Sequence, residues 1–315
     1  MPQTPHIERH FTAHTSSRFF GGETDLLRMK AFLSAAQSDG SLPGYWHAGD
    51  LLWRLYQNTI FDPFTSFRLW EAGEGDLLGF VCFSPLEWVD MQIHPRLRGS
   101  GWLEEQMLAW AKEYRLALPA NDDGTRLLRT GGLDVDPQRV GFLESHGFER
   151  AEHHYINLMR DLSEPIPAEA VPEGFAVRHV ADEAEFEERV SIHREVWHPS
   201  KVTLEAYRRM RTAPGYIPEL DLVAATPDGV FASYCIGWLD PVSKSGEFEP
   251  IGTRAAFRRK RLGRAVMLEG LRRLASCGAE TALVTSEGSN DAALSLYTSV
   301  GFRIINRDYT YITRL

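Results

Sequence analysis

The same order of elements is spelled twice along this chain. Each half reads as strand, strand, basic turn, helix, strand, helix, Gly-Phe, strand. In the first half the run is GDLLGFVCF, then WVDMQIHPRLRGSG, then an amphipathic stretch to Tyr114, then a short helix ending in SHGF. In the second it is GVFASYCIGWLD, then GEFEPIGTRAAFRRKRLG, an amphipathic stretch to Cys277, and DAALSLYTSVGF. Cys82 and Cys235 stand 153 residues apart, Arg98 and Arg258 160, and Gly147 and Gly301 154. A longer hairpin loop near Pro241 to Gly246 and a longer helix-to-strand loop in the first half account for the drift. A repeat this long, built of whole α/β layers, predicts two copies of one domain rather than a solenoid.

Between the copies lies Asp161 to Gly174, which holds Pro165, Pro167 and Pro172. Three prolines so close cannot all sit in a helix or a central strand, so the stretch reads as an extended linker. The expected division is a first domain over 1–160, a linker over 161–174 and a second domain over 175–315. A chain of 315 residues suits two such domains. Within the second, Asp182 to Arg194 and Thr203 to Arg211 read as helices. Asp221 to Thr226, Gly229 to Leu239 and Thr281 to Thr285 read as strands. Gly263 to Ser276 carries Ala265, Leu268, Leu271 and Ala275 at helical spacing.

Charge and cysteine content exclude some functions. The net charge is −9, which argues against a general nucleic-acid binder. Three cysteines, none in a CxxC pair, predict neither a disulfide framework nor a metal site, and fit a reducing cytoplasm. His193 and His198 are five apart with no supporting motif, so no metal is expected there either. The first 20 residues have no apolar core, so no signal peptide is expected. No run nears the roughly 18 apolar residues of a membrane helix.

The most informative segment is Glu247 to Ala265. A strand ends near Thr253, and a basic turn runs into a helix near Leu262. The first turn of a helix offers unpaired N–H groups and partial positive charge, which suit a pyrophosphate. Arg258, Arg259, Lys260, Arg261 and Arg264 add charge, and Gly263 lets the backbone come close. A solvated basic cluster at a helix start is the competing reading.

This segment resembles the acyl-CoA pyrophosphate loop of the GNAT superfamily of N-acetyltransferases, [Q/R]-x-x-G-x-[G/A]. Arg258 takes the first position, Gly263 the last, and Arg261 stands where the middle Gly is expected. HPRLRGSGWL in the first half is similar, with Arg98 first, Gly101 in the middle and Leu103 last. Two such domains around a Pro-rich linker resemble the tandem layout of the mycothiol synthases and related duplicated acetyltransferases. The resemblance implies an α/β fold of two tandem GNAT-like domains, each a mixed, twisted central sheet flanked by helices. It implies acetyl-CoA as co-substrate, held by the backbone of Ile251, Gly252 and Thr253, by the loop from Arg258 through Leu262 and Gly263 to Arg264 and Ala265, and by Asn290. The strand should splay from its neighbour at Ile251 to Thr253.

The helix Asn290 to Phe302 is similar to the family's Asn-x-x-A-x-x-x-Tyr-x-x-x-G-F, so Tyr297 inherits the role of general acid at the CoA sulfur. In the first half Leu143 and Asp136 fall at the same counts, and Leu cannot donate a proton. The first half therefore reads as catalytically degraded. Glu247 lies eleven residues before Arg258, where the family often has its base, and Glu249 is the second candidate. A period of two puts both on one face with Ile251. An edge-facing, solvated carboxylate pair is the bland alternative. His193, Trp197 and His198 sit at a helix junction where an acceptor would lie. Gly44 to Trp53 is aromatic-rich and reads as core or as the floor of a pocket.

The expected function is transfer of acetyl from acetyl-CoA to the primary amine of a small molecule, by direct attack, in the second domain. Acetylation of a cysteinyl amino sugar in the manner of the mycothiol synthases is one alternative. A non-catalytic acyl-CoA-binding protein is the other. No nucleic-acid or membrane partner is expected, and the sequence is silent on oligomeric state.

Overall fold

The computed structural model describes residues 15–315 apart from 41, 42, 58, 74 and 86. Most of the stretch read as lacking a signal peptide lies outside the described residues. The first part of the chain forms β1 (Ser16–Phe19), α1 (Glu23–Asp39), α2 (Ala48–Tyr56), α3 (Pro63–Ser66), β2 (Phe67–Glu71), β3 (Leu77–Ser84), β4 (Trp88–Ile93), α4 (Trp102–Ala117), β5 (Leu127–Leu133), α5 (Pro137–Ser145) and β6 (Glu149–Asp161). The rest forms β7 (Ala176–His179), α6 (Phe186–Val196), α7 (Leu204–Met210), β8 (Asp221–Ala225), β9 (Phe231–Asp240), β10 (Ser245–Thr253), α8 (Leu262–Ser276), β11 (Thr281–Glu287), α9 (Asp291–Ser299) and β12 (Arg303–Arg314). Each expected helix and strand of the second half is present, with ends moved by a few residues.

Two compact units emerge, and they are not consecutive stretches of chain. One comprises the described residues up to Tyr45, Phe61–His154 and Arg307–Leu315; the other comprises Trp46–Ile60 and Tyr155–Asn306. These limits differ from the division at 160 and 175 read from the sequence. The strands that follow the two Gly-Phe pairs are exchanged. Residues 155–161 of β6 pair antiparallel with β11 in the second unit. Residues 308–314 of β12 pair antiparallel with β5 in the first. Alternation of apolar residues marks a strand but not its partner, so the exchange leaves no trace in local sequence.

The first unit orders its strands β1-β2-β3-β4-β5-β12, with only β4 and β5 parallel. Leu103, Met107, Leu108 and Ala111 recur at helical spacing on α4 and bury against Val81, Phe83, Leu128 and Leu143.

The second unit orders its strands β6-β11-β10-β9-β8-β7, with only β10 and β11 parallel. On α8, Met267, Leu271 and Leu274 face the sheet beside Phe248 and Phe302. Each such side chain removed from water contributes about 2 kcal/mol. The opposite face of this sheet carries α6 and α2. The buried Arg189–Asp221 pair (2.9 Å) ties α6 to β8, and the hydroxyls of Tyr207 and Tyr216 donate to the same carboxylate at 2.6 and 3.0 Å. Helix α2 is fixed by its ends. Arg209 donates to the Tyr56 carbonyl (2.9 Å), and His47 Nε2 lies 3.3 Å from the Ser245 carbonyl.

Two irregularities in β10 open the sheet at one edge. Its parallel register with β11 runs from Ser245–Thr281 only to Glu247–Leu283, although β10 continues to Thr253 and β11 to Glu287. The strands therefore splay, starting earlier than the expected Ile251. The register with β9 also jumps between Phe248–Gly237 and Ile251–Cys235, so β10 carries one extra residue there. Pro250 sits in the bulge and has no N–H to offer a ladder. This corrects the sequence reading of Ile251. The bulge breaks the period of two, and Ile251 packs with Phe248 on the α8 face, opposite Glu247 and Glu249.

Candidate functional site

Residues Arg258 to Arg261 form an exposed turn between β10 and α8. Arg259 and Arg261 both have positive φ (62° and 61°), and Arg261 is the N-cap of α8. Alternating left-handed residues turn successive N–H groups to one side, the geometry of an anion-binding nest. Among the described residues, the N–H groups of Arg259, Lys260 and Arg261 meet no protein acceptor. The αL conformation at Arg261 is what the family pattern provides with glycine. Here an arginine adopts it, at a strain of about 1 kcal/mol.

The basic side chains divide into two sets. Arg264 is committed to Glu169 (2.8 and 3.0 Å from Nε) and to the Ser299 carbonyl. Lys260 lies over the Phe257 ring at 5.3 Å. Arg258 reaches back to the Thr253 carbonyl at 3.5 Å, and Arg259 and Arg261 are exposed. Leu262 and Gly263 are buried under the turn, and Ala265 is half-buried. An added Cβ on Gly263 would stand 3.3 Å from both Thr253 Oγ1 and Leu296, so the helix start, the strand end and α9 converge there. Gly252 backs onto Val196 and Tyr234, while Ile251 and Thr253 are half-buried.

The two candidate carboxylates have different neighbours. Glu247 is 6% exposed, and its Oε2 lies 3.2 Å from His47 Nδ1. Uncharged, that nitrogen accepts the Gly49 N–H (3.0 Å) and caps α2; charged, it donates to Glu247. Burial opposes the charge on His47, but the Glu247 carboxylate, together with Asp50 and Asp240, raises the histidine's pKa. Glu249 is two residues on, in the bulge. Burial and the nearby Asp50 carboxylate push its pKa up to about 7, against the pull of Arg54. Asp50 itself is pushed to about 7 by burial and by Glu247.

Tyr297 is buried on α9, and its ring packs against Phe302 at 6.2 Å between centroids. Burial first, and then the charge on Glu249, raise the phenol's pKa, so it keeps its proton at any working pH. Asn290 is the N-cap of α9, its side chain accepting from the Ala293 N–H at 3.1 Å. Local capping is thus one reason for an Asn at this position.

A cavity of about 280 Å³ opens beside Glu249 and Pro250, with Trp53, His193, Trp197 and Lys201 among its walls. Glu247 is not part of this wall. Trp53 and His193 meet edge to face at 5.5 Å, and Trp197 is 49% exposed at the mouth. His198, singled out at the same helix junction, is not among its walls. The sequence did not connect His47, Asp50 and Trp53 with this site. The available signal was a half-buried Asp on a helix whose neighbours Leu51 and Leu52 are core residues.

Residues 183–302 match the family model described as the acetyltransferase (GNAT) family. A protein named mycothiol acetyltransferase from Thermobispora bispora is 27% identical over 252 residues, which cover 76% of this chain and 81% of that protein. A GCN5-related N-acetyltransferase from Sphaerobacter thermophilus has a TM-score of 0.65 at 20% identity, covering 95% of each chain. A tandem GNAT protein from the clavulanic acid biosynthesis pathway has a TM-score of 0.66 at 15% identity, covering 96% of this chain and 98% of that one. The structural likenesses extend over nearly the whole chain and bear out the expected fold class.

Proposed function

With residues 183–302 a GNAT acetyltransferase domain, and the chain accordingly an acyltransferase that uses acetyl-CoA, we propose that it acetylates the primary amine of a small molecule in its second unit. The amine enters the cavity beside Glu249. Trp53 and Trp197 face its cationic form, and Glu249 takes its proton. A carboxylate near pH 7 is suited to that task, whereas Glu247 is occupied by His47. The loop from Arg258 to Gly263 and the cap residue Asn290 hold the CoA moiety. The free edge of β10 from Ile251 to Thr253 lines the acyl arm. Tyr297 returns a proton to the departing sulfur. The observation that carries this reading is that Glu249 lines a cavity beside a strand edge that β11 has left. Three free cysteines and a cytosolic co-substrate favour the cytoplasm. No helix among the described residues is long and apolar enough to cross a membrane.

A second reading, a mycothiol-type acceptor, draws support from the name of the Thermobispora relative. Calorimetric titration of acetyl-CoA tests the donor half of the proposal. One equivalent should bind per chain, and Gly263→Glu should abolish it. Binding that survives in this variant would move the cofactor out of the second unit. Tyr297→Phe should keep acetyl-CoA binding and lower transfer by about 10²- to 10⁴-fold. Unchanged turnover would remove Tyr297 from the chemistry.

A further inference from the structure

The cavity wall contains a histidine whose protons are fixed by its surroundings. His193 is 6% exposed, and its Nδ1 lies 2.7 Å from the Tyr234 hydroxyl. That hydroxyl also accepts the Trp197 indole N–H at 2.8 Å. A phenol has one proton to give, and among the described residues the Tyr234 hydroxyl has no other acceptor within reach. The proton therefore goes to His193 Nδ1. Because Nδ1 accepts, the ring proton sits on Nε2. Burial, with Arg189 and Arg194 nearby, holds the His193 pKa down at about 3, so the ring stays neutral. Arg189 is stacked 3.8 Å over the Tyr234 ring and locks the relay in place.

The opposite edge of the imidazole, with Nε2–H, has no partner within the protein among the described residues, and the ring lines the cavity. A fixed neutral donor cannot pair with an ammonium, and it cannot serve as the base while Nδ1 is taken. It can bond a hydroxyl or carbonyl oxygen. We propose that His193 is a specificity-determining residue of the acceptor cavity, its Nε2–H donating to an uncharged oxygen close to the acceptor's amine. The substrate class is then an amine bearing a hydroxyl or carbonyl group rather than a plain alkylamine. This inference rests on the cavity being the acceptor site.

Two amines that differ by one hydroxyl test it: trans-2-aminocyclohexanol and cyclohexylamine, assayed with acetyl-CoA and the full chain. The wild type should favour the hydroxylated amine in kcat/KM by at least about tenfold, since a buried donor left unmatched is costly. His193→Phe should abolish that preference. Tyr234→Phe, which keeps the ring but removes the relay hydroxyl, should weaken it severalfold. Acetyl-CoA titration of both variants, expected to match the wild type, checks that they fold. Equal rates with both amines in the wild type would overturn the role of His193 while leaving the cavity as acceptor site. A preference that survives in His193→Phe would overturn it too. If neither amine is acetylated nor perturbs the Trp53 and Trp197 fluorescence, the cavity is not the acceptor site and both readings fall.

Discussion

The two basic turns of this molecule have the same backbone shape and opposite chemistry. Arg98-Gly99-Ser100-Gly101 opens α4, with positive φ at Gly99 (77°) and Gly101 (84°). Arg258-Arg259-Lys260-Arg261 opens α8 with positive φ at the same two positions. In the first turn the nest is filled from within. Glu104 accepts the Gly99 N–H at 2.7 Å and the Gly101 N–H at 3.1 Å, and Asp136 pairs with Arg98. In the second turn the residue matching Glu104 is Arg264, and no carboxylate among the described residues reaches the amides. The turn with glycines at both left-handed positions is thus the one whose N–H groups are already used. The same contrast recurs at the matching Glu residues. Glu87 stands eleven residues before Arg98, as Glu247 stands before Arg258. Although partly buried, Glu87 is held below the usual carboxylate range by hydrogen bonds from Asn121, Arg115 and Arg129. A carboxylate so stabilised is a poor base, and Leu143 replaces the phenol of Tyr297.

The sharpest way to break this contrast is at the carboxylate the first unit lacks. Glu249→Gln should lower kcat/KM about 10²-fold or more and remove its rise through pH about 7, where the wild-type carboxylate loses its proton. A pH–rate profile decides, and an unchanged acid limb would exclude Glu249. The sign for stability is opposite. A folded pKa raised from 4.5 favours the protonated form, so the wild type loses stability as pH rises toward about 7, and the Gln variant should lose less across that window in thermal melts. Next, Arg264→Glu places the first turn's carboxylate at the start of α8. Acetyl-CoA affinity should fall at least about tenfold by calorimetry, since the nest would then be filled from within. Glu104→Gln is the reciprocal change. It should destabilise the first unit by about 1–2 kcal/mol without adding a second equivalent of bound acetyl-CoA, because Asp136 still holds Arg98. A second equivalent would show that Glu104 alone closes the first turn. The smallest effect belongs to the backbone. Arg261→Gly should raise stability by about 1 kcal/mol, and Gly101→Arg should cost a similar amount, both read in denaturant unfolding.

Much of this was legible in the sequence because it is local. The order of elements, the loop after β10, the capped helix Asn290 to Phe302 and the Leu at position 143 are all set by residues within a turn or two of each other. What stayed hidden depends on distant pairing. Gly44 to Trp53, which contributes the start of α2, reads as aromatic-rich core or a pocket floor in the first half, and nothing in its spacing says that His47 will meet Glu247. The bulge at Pro250 depends on how β10 registers with β9, and it is what puts Ile251 on the other face from Glu249. These partners favour Glu249 in the proposed reading, whereas a count of eleven residues before Arg258 favours Glu247. Glu104 stands in plain sight three residues after Gly101, yet only the loop's geometry shows that it occupies the nest.

The exchange of closing strands has a consequence in time. During synthesis the chain emerges from its N-terminus, so β1 to β5 are available long before Asp308 to Arg314, which pair with β5. The second unit can assemble its sheet once β11 meets residues 155–161, which are already made. The unit that is begun first is therefore completed last. Its β5 edge must wait, unpaired, while nearly all of the other unit is translated, and an exposed strand edge is where misassembly begins.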